Sequence, residues 1–298
     1  MSDSSSPASA APFALYRPAG PAGAFVFSSP HSGRYYPDSF KQASRLDEIT
    51  LRRSEDSYVD ELFLGAPETG APLLAATYAR AYVDLNREPH ELDPLLFAEP
   101  LPNYANSESE RVGAGLGTIA RVVATGIPIY SRPLSLEEAH RRIAAIYTPY
   151  HDALGELLDA ARRRHGWCAL IDCHSMPSPE ASMHRPASPQ AETDIVLGDR
   201  YGQSCDSRLT DCTEAVLTGL GYTVARNLPY AGGYCTSSYG RPEAGMHALQ
   251  IEINRGLYMD EMRIEKAPGF AAVARDMTRL AAALAELDLS AEPPLAAE

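Results

Sequence analysis

The run Ala169-Leu170-Ile171 passes without a break into Asp172-Cys173-His174-Ser175. A short apolar run of this kind reads as a buried strand. Such a strand has no use for Asp, His and Ser unless it is leaving the sheet. In an open α/β sheet, ligand sites lie beyond the C-terminal ends of the strands. His174 is therefore expected at a sheet mouth, with Asp172 just before it. Three other stretches end in the same way and are expected to meet there: Ser29-Pro30-His31-Ser32-Gly33, Val83-Asp84-Leu85-Asn86-Arg87 and Leu249-Gln250-Ile251-Glu252-Ile253.

The pattern around these stretches alternates. Apolar or period-2 runs predict strands at 24–28, 72–77, 81–87, 127–130, 169–175, 194–197, 221–225 and 247–253. A 3.6-residue period predicts helices over 47–64, 135–164, 205–220 and 270–287. Ser135 opens the second of these, with Glu138 placed to complete a capping box. Alternation of this kind implies one α/β domain with a mainly parallel sheet, spanning 15–288 between an N-terminal tail (1–14) and a C-terminal tail (289–298). The segments 89–126, 176–193 and 227–242 read as loops, the last rich in Gly, Tyr and Arg as pocket-lining loops are.

Charge and cysteine usage narrow the function. A formal net charge of −13 argues against general nucleic-acid or anionic-membrane binding. A local Arg cluster still permits a small anionic substrate. Five cysteines with no CxxC pair point to reduced thiols in the cytoplasm rather than a disulfide framework. No run is long and apolar enough to predict a transmembrane helix. The glycines at 113, 115 and 117 fit neither a P-loop nor a dinucleotide fingerprint.

Two histidines and a carboxylate at one sheet edge make a three-ligand zinc site with an open fourth position. Water there has its pKa lowered toward about 7 and becomes a nucleophile. A carboxylate that is not a ligand takes the proton, and an arginine stabilises the oxyanion. On this reading His31, His174 and Asp56 hold one Zn2+, Glu252 is the base and Arg80 the oxyanion partner. Asp56 and Asp60 share one face of the predicted 47–64 helix, which brings one of them toward the mouth. Arg80, Asn86 and Arg87 suit a substrate carboxylate, or else pair with Asp84 and Glu88. A serine hydrolase needs a GxSxG elbow, which is absent. Ser175 and Cys173 point away from their neighbour His174 on a strand.

Taken in order, several stretches resemble the N-formylglutamate amidohydrolase family, which is distantly similar to zinc carboxypeptidases and aspartoacylase. They are Ser29–Gly33, Glu55-Asp56-Ser57-Tyr58-Val59-Asp60, Val83–Arg87, Tyr150-His151-Asp152-Ala153-Leu154, Asp172–Ser175, Gly232-Gly233-Tyr234, Tyr239-Gly240-Arg241-Pro242 and His247–Ile253. The resemblance implies a three-layer α/β/α fold with a mixed, mainly parallel central sheet, like the zinc carboxypeptidases. It also implies an amidase that frees an acidic amino acid from its N-formyl or other N-acyl group, with N-formyl-L-glutamate the expected substrate. A broader deacylase or metallopeptidase, or a metabolite-binding protein on the same fold, are the alternatives. By the likeness His31 and His174 match the histidine ligands and Glu252 the base. Asn86 and Arg87 match the pair that holds a substrate carboxylate, and Gly233, Tyr234 and Arg241 are further expected contacts. A carboxypeptidase-type HxxE pattern would need Glu at position 34, where this chain has Arg34. The acidic ligand is thus expected from the helix that follows, at Asp56, with Glu55 as the alternative.

Overall fold

The computed structural model describes residues 10–123, 126–178 and 193–290. Among these, β1 (Phe13–Tyr16), β2 (Phe25–Ser29), β3 (Leu73–Ala76), β4 (Cys168–Met176), β5 (Ile195–Gly198), β6 (Val224–Arg226) and β7 (Met246–Asn254) form one sheet. The strand order is β1-β3-β2-β4-β7-β5-β6. β1 runs antiparallel to β3 and β5 antiparallel to β7, and the remaining neighbours are parallel. The sheet is mixed and mainly parallel, as expected.

The helices are α1 (Asp38–Ala43), α2 (Glu48–Arg52), α3 (Val59–Leu62), α4 (Glu110–Gly113), α5 (Leu136–Arg142), α6 (Thr148–His165), α7 (Ser207–Gly219), α8 (Tyr234–Tyr239) and α9 (Phe270–Ala285). Side-chain alternation along the central strands divides the apolar residues into two cores. Val26, Leu170 and Ala248 pack under Tyr150, Leu154 and Leu158 of α6. Ile171, Cys173 and Ile251 pack on the opposite face against α3, α7 and α9. The result is a helix–sheet–helix sandwich. On the α6 face the row Leu170, Asp172, His174 lies beside Ala248, Gln250, Glu252 in register. The same strand face is therefore core at one end and polar at the other.

Four expectations need correction. The predicted 47–64 helix is two short helices, α2 and α3, with residues 53–58 between them. The Asp56 N–H donates to the His31 carbonyl at 3.0 Å, and Tyr58 turns left-handed at φ 67° to begin α3. The break carries Asp56 to the sheet mouth, whereas Asp60 stays outside on Arg34 at 2.8 Å. Residues 127–130 make bridges only and no strand. Phe13 and Ala14, assigned to the N-terminal tail, belong to β1 at the sheet edge. Most of the 176–193 loop lies outside the described residues.

The fourth correction concerns 81–87, which is a turn rather than a strand. Buried backbone carbonyls need partners, and here they come from one long helix instead of a ladder. Arg142 Nη1 donates to the Tyr82 carbonyl at 3.1 Å, Tyr147 Oη to that of Arg87 at 2.7 Å, and His151 Nε2 to that of Leu85 at 2.9 Å. On a regular α-helix, residues five apart point about 140° away from each other. A π-helical turn over Ile143–Tyr147 joins α5 to α6 and removes that mismatch. π-turns recur at functional sites, and this one aligns all three donors on the 82–87 turn.

Candidate active site

Each functional side chain reaches the mouth from a different element of the fold. His31 follows β2, Asp56 lies in the α2–α3 break, His174 lies near the C-terminal end of β4, and Glu252 lies opposite His174 on β7. All four are at least nine-tenths buried. The His31 and His174 rings are 4.7 Å apart between centroids. Their Nδ1 atoms both face Asp56 Oδ2, at 3.4 Å from His31 and 2.9 Å from His174. His31 Nδ1 is buried without a hydrogen-bond partner.

The opposite nitrogens are occupied by carboxylates. His31 Nε2 donates to Asp84 Oδ1 at 2.6 Å, and His174 Nε2 lies 3.0 Å from Asp172 Oδ2. A carboxylate on one ring nitrogen fixes the tautomer and leaves the other nitrogen's lone pair for a cation. One ligand atom each from His31, Asp56 and His174 lies within 4.8 Å of the others. Two imidazoles and one carboxylate are a donor set suited to zinc with an open position. The group therefore fits a divalent cation. Glu55, the alternative ligand, is committed elsewhere. Its carboxylate accepts from Tyr36 at 2.7 Å, Ser57 at 2.6 Å and Arg52 at 3.1 Å.

Electrostatics follow from this burial. Burial opposes charge on Asp56, but His174 and His31 outweigh it and hold the carboxyl well below the usual range. Asp84 is held low in the same way by Arg87, His31 and Arg80. Glu252 is pushed up to about 7, first by burial, with His174 opposing and Asp56 adding to the rise. Its Oε1 accepts from Gln250 Nε2 at 2.8 Å, and the Gln250 carbonyl oxygen Oε1 accepts the Gly233 N–H at 2.7 Å.

A cavity of about 440 Å³ opens over these groups, within the range of small-ligand sites. Arg80, Asn86, Arg87 and Gly233 line it; Tyr234 and Arg241 do not. The Tyr234 ring packs edge-on to His151, 5.9 Å away. Arg241 bridges to Met246, at the opposite end of β7 from Glu252 and about 20 Å off at strand rise. The Gly-Tyr-Arg stretch read as one loop contains α8, which turns these two side chains away. Asn86 lines the cavity, but its amide is held: Oδ1 accepts from the Cys235 N–H at 2.7 Å, and Nδ2 lies 2.9 Å from His174 Nε2 and 3.1 Å from Asp172 Oδ2.

A Cβ on Gly233 would stand 2.5 Å from Asn86 Nδ2. Gly233→Ala is therefore expected to displace that amide and loosen Asp172 behind His174. We expect kcat/KM to fall about 10- to 100-fold, with a thermal midpoint close to wild type. Steady-state kinetics alongside a melting curve check this, and a collapsed midpoint would mean that Gly233 serves only the fold.

Sequence reasoning did not assign roles to Asp84, Gln250, Arg111 or Arg255, all of which line the cavity. Arg255 binds Asp56 Oδ1 at 2.9 Å and Ser175 Oγ at 3.0 Å. Its signal was its place just past the end of a buried strand.

Residues 23–259 match the model of one protein family, described as N-formylglutamate amidohydrolase. The chain belongs to this family. It is 32% identical over 260 residues to an N-formylglutamate deformylase of Pseudomonas aeruginosa, covering 85% of this chain and 90% of that one. A Pseudomonas putida protein of the same name is 31% identical over 239 residues, 79% and 82% of the two chains. The crystal structure of N-formylglutamate amidohydrolase from Ralstonia eutropha superimposes with a TM-score of 0.88 at 41% identity, covering 93% of this chain and 98% of that one. This chain is accordingly an amidohydrolase. Among the described residues no helix is long and apolar enough to cross a membrane.

Proposed function

We propose that this amidohydrolase cleaves N-formyl-L-glutamate to formate and L-glutamate, with one Zn2+ held by His31, Asp56 and His174. The observation that carries the reading is the convergence of those three ligand atoms beside Glu252. The names of the Pseudomonas relatives support the substrate. When bound, the cation supplies Lewis-acid polarisation of the formyl carbonyl and acidifies water at its open position.

The chain's own residues do the rest. Glu252 takes the proton from the attacking water at its carboxylate and passes it to the departing nitrogen. Arg80 Nη2 donates to Asp84 at 2.9 Å, and its Nη1 stands 3.9 Å from Asp56 Oδ1. That position lets Arg80 donate to the developing oxyanion. Arg87, whose Nε and Nη1 hold backbone carbonyls, offers Nη2 to the substrate α-carboxylate. Asn86 has a different part from the one its motif implied: it braces Asp172 and α8 rather than the substrate. The five free thiols fit a reducing compartment, the cytoplasm.

Release of free L-glutamate from N-formyl-L-glutamate, N-acetyl-L-glutamate and a glutamyl dipeptide tests the proposal. We expect kcat/KM for the formyl substrate to exceed the others by about 100-fold or more. Preference for the acetyl substrate or the dipeptide would favour a broader deacylase or peptidase. Binding without turnover in zinc-loaded protein would favour a metabolite-binding role.

A further inference from the structure

Four arginines line the cavity, and three are committed to protein partners. Arg80 pairs with Asp84 at 2.9 Å, and Arg255 with Asp56 at 2.9 Å. Arg87 donates through Nε to the Leu116 carbonyl and through Nη1 to that of Asn86, both at 2.8 Å. Arg111, on α4, has no side-chain hydrogen bond or ion pair among the described residues. Three acidic residues of the surrounding segment are taken. Glu91 accepts from Ser109 and from the Glu88 N–H, Glu88 accepts from Asn106 at 2.7 Å, and Asp93 holds Arg121.

Arg111 is also close enough to Arg87 to repel it. Burial lowers the Arg87 pKa to about 10 against the pull of Asp84, and Arg111 and Arg80 lower it further. Two guanidinium groups facing one cavity, one of them without a counter-charge, form an unbalanced positive pair. Such a pair is relieved by an anion with more than one negative charge.

We propose that Arg111 binds the side-chain carboxylate of the substrate, while Arg87 meets its α-carboxylate. Arg111 is thus the residue that selects acidic N-formyl amino acids over neutral ones. This rests on the deformylase reading above.

N-formyl-L-glutamate and N-formyl-L-glutamine differ only in that second carboxylate, so the pair isolates the interaction. Wild type is expected to favour the glutamate substrate by about 100-fold in kcat/KM. In Arg111→Gln that preference should collapse to within about threefold, with the loss on the glutamate substrate falling mainly in KM. Arg111→Lys should restore part of it. A merely structural role would depress both substrates alike and leave the ratio unchanged, which overturns the assignment. A wild type that cleaves both substrates equally also overturns it, yet leaves deformylation standing. A zinc-loaded wild type that cleaves neither removes the deformylase reading and this inference with it.

Discussion

Glu252→Gln is expected to lower kcat about 10³-fold with zinc content unchanged. Glu252 is buried on β7 beside His174 and stands outside the three-ligand group. Glutamine keeps its size and can still accept the 2.8 Å bond from Gln250, so the fold and the metal ligands stay in place. What it lacks is a lone pair basic enough to take a proton from water. Stopped-flow or steady-state formate release, with metal analysis on the same preparation, separates the two contributions. Turnover within about tenfold of wild type would remove Glu252 from the proton-transfer role.

Asp56→Asn should act on the metal rather than on the proton. Asp56 Oδ2 faces both Nδ1 atoms, and its Oδ1 neutralises Arg255. Loss of a residue behind a ligand weakens metal binding about 10- to 100-fold, and loss of the anionic ligand itself should exceed that. After dialysis the variant is expected to hold far less than one zinc per chain and to show no measurable turnover. Arg255 is left buried without its counter-charge, which costs about 3–5 kcal/mol, so a lower thermal midpoint should accompany the loss. A second variant guards against simple unfolding. Asp84→Asn keeps a hydrogen-bond acceptor for His31 and should weaken zinc by the smaller, 10- to 100-fold factor. Stoichiometric zinc in both variants would dismiss the proposed ligand set.

Much of this site was legible because strand ends advertise themselves. Asp172 and His174 interrupt an apolar run, and Glu252 lies between Ile251 and Ile253; buried polar residues need a reason. The Asp56 region was legible in identity and misread in shape. Leu51, Val59 and Leu62 keep a helical period although the chain between them leaves the helix. Periodicity reports which side chains face the core, not whether the backbone hydrogen bonds run on. The same confusion affected 81–87. Val83 and Leu85 alternate with polar residues, as in a strand, but the carbonyls of Tyr82, Leu85 and Arg87 are satisfied by side chains more than fifty residues later. Arg241 and Tyr234 failed for a third reason. Neighbours in sequence point to opposite sides once α8 forms.

The inserted turn between α5 and α6 has a cost in evolutionary freedom. Were residues 143–147 to take uniform α-helix at unchanged length, the five-residue step from Arg142 to Tyr147 would turn by about 140°. Tyr147 and His151 would swing off the Arg87 and Leu85 carbonyls while Arg142 kept its grip. This short span must therefore keep its wider turn for as long as it keeps its length, although nothing in it touches the reacting atoms. The spacing of a distant helix, rather than any residue within it, sets how firmly Asp84 backs His31.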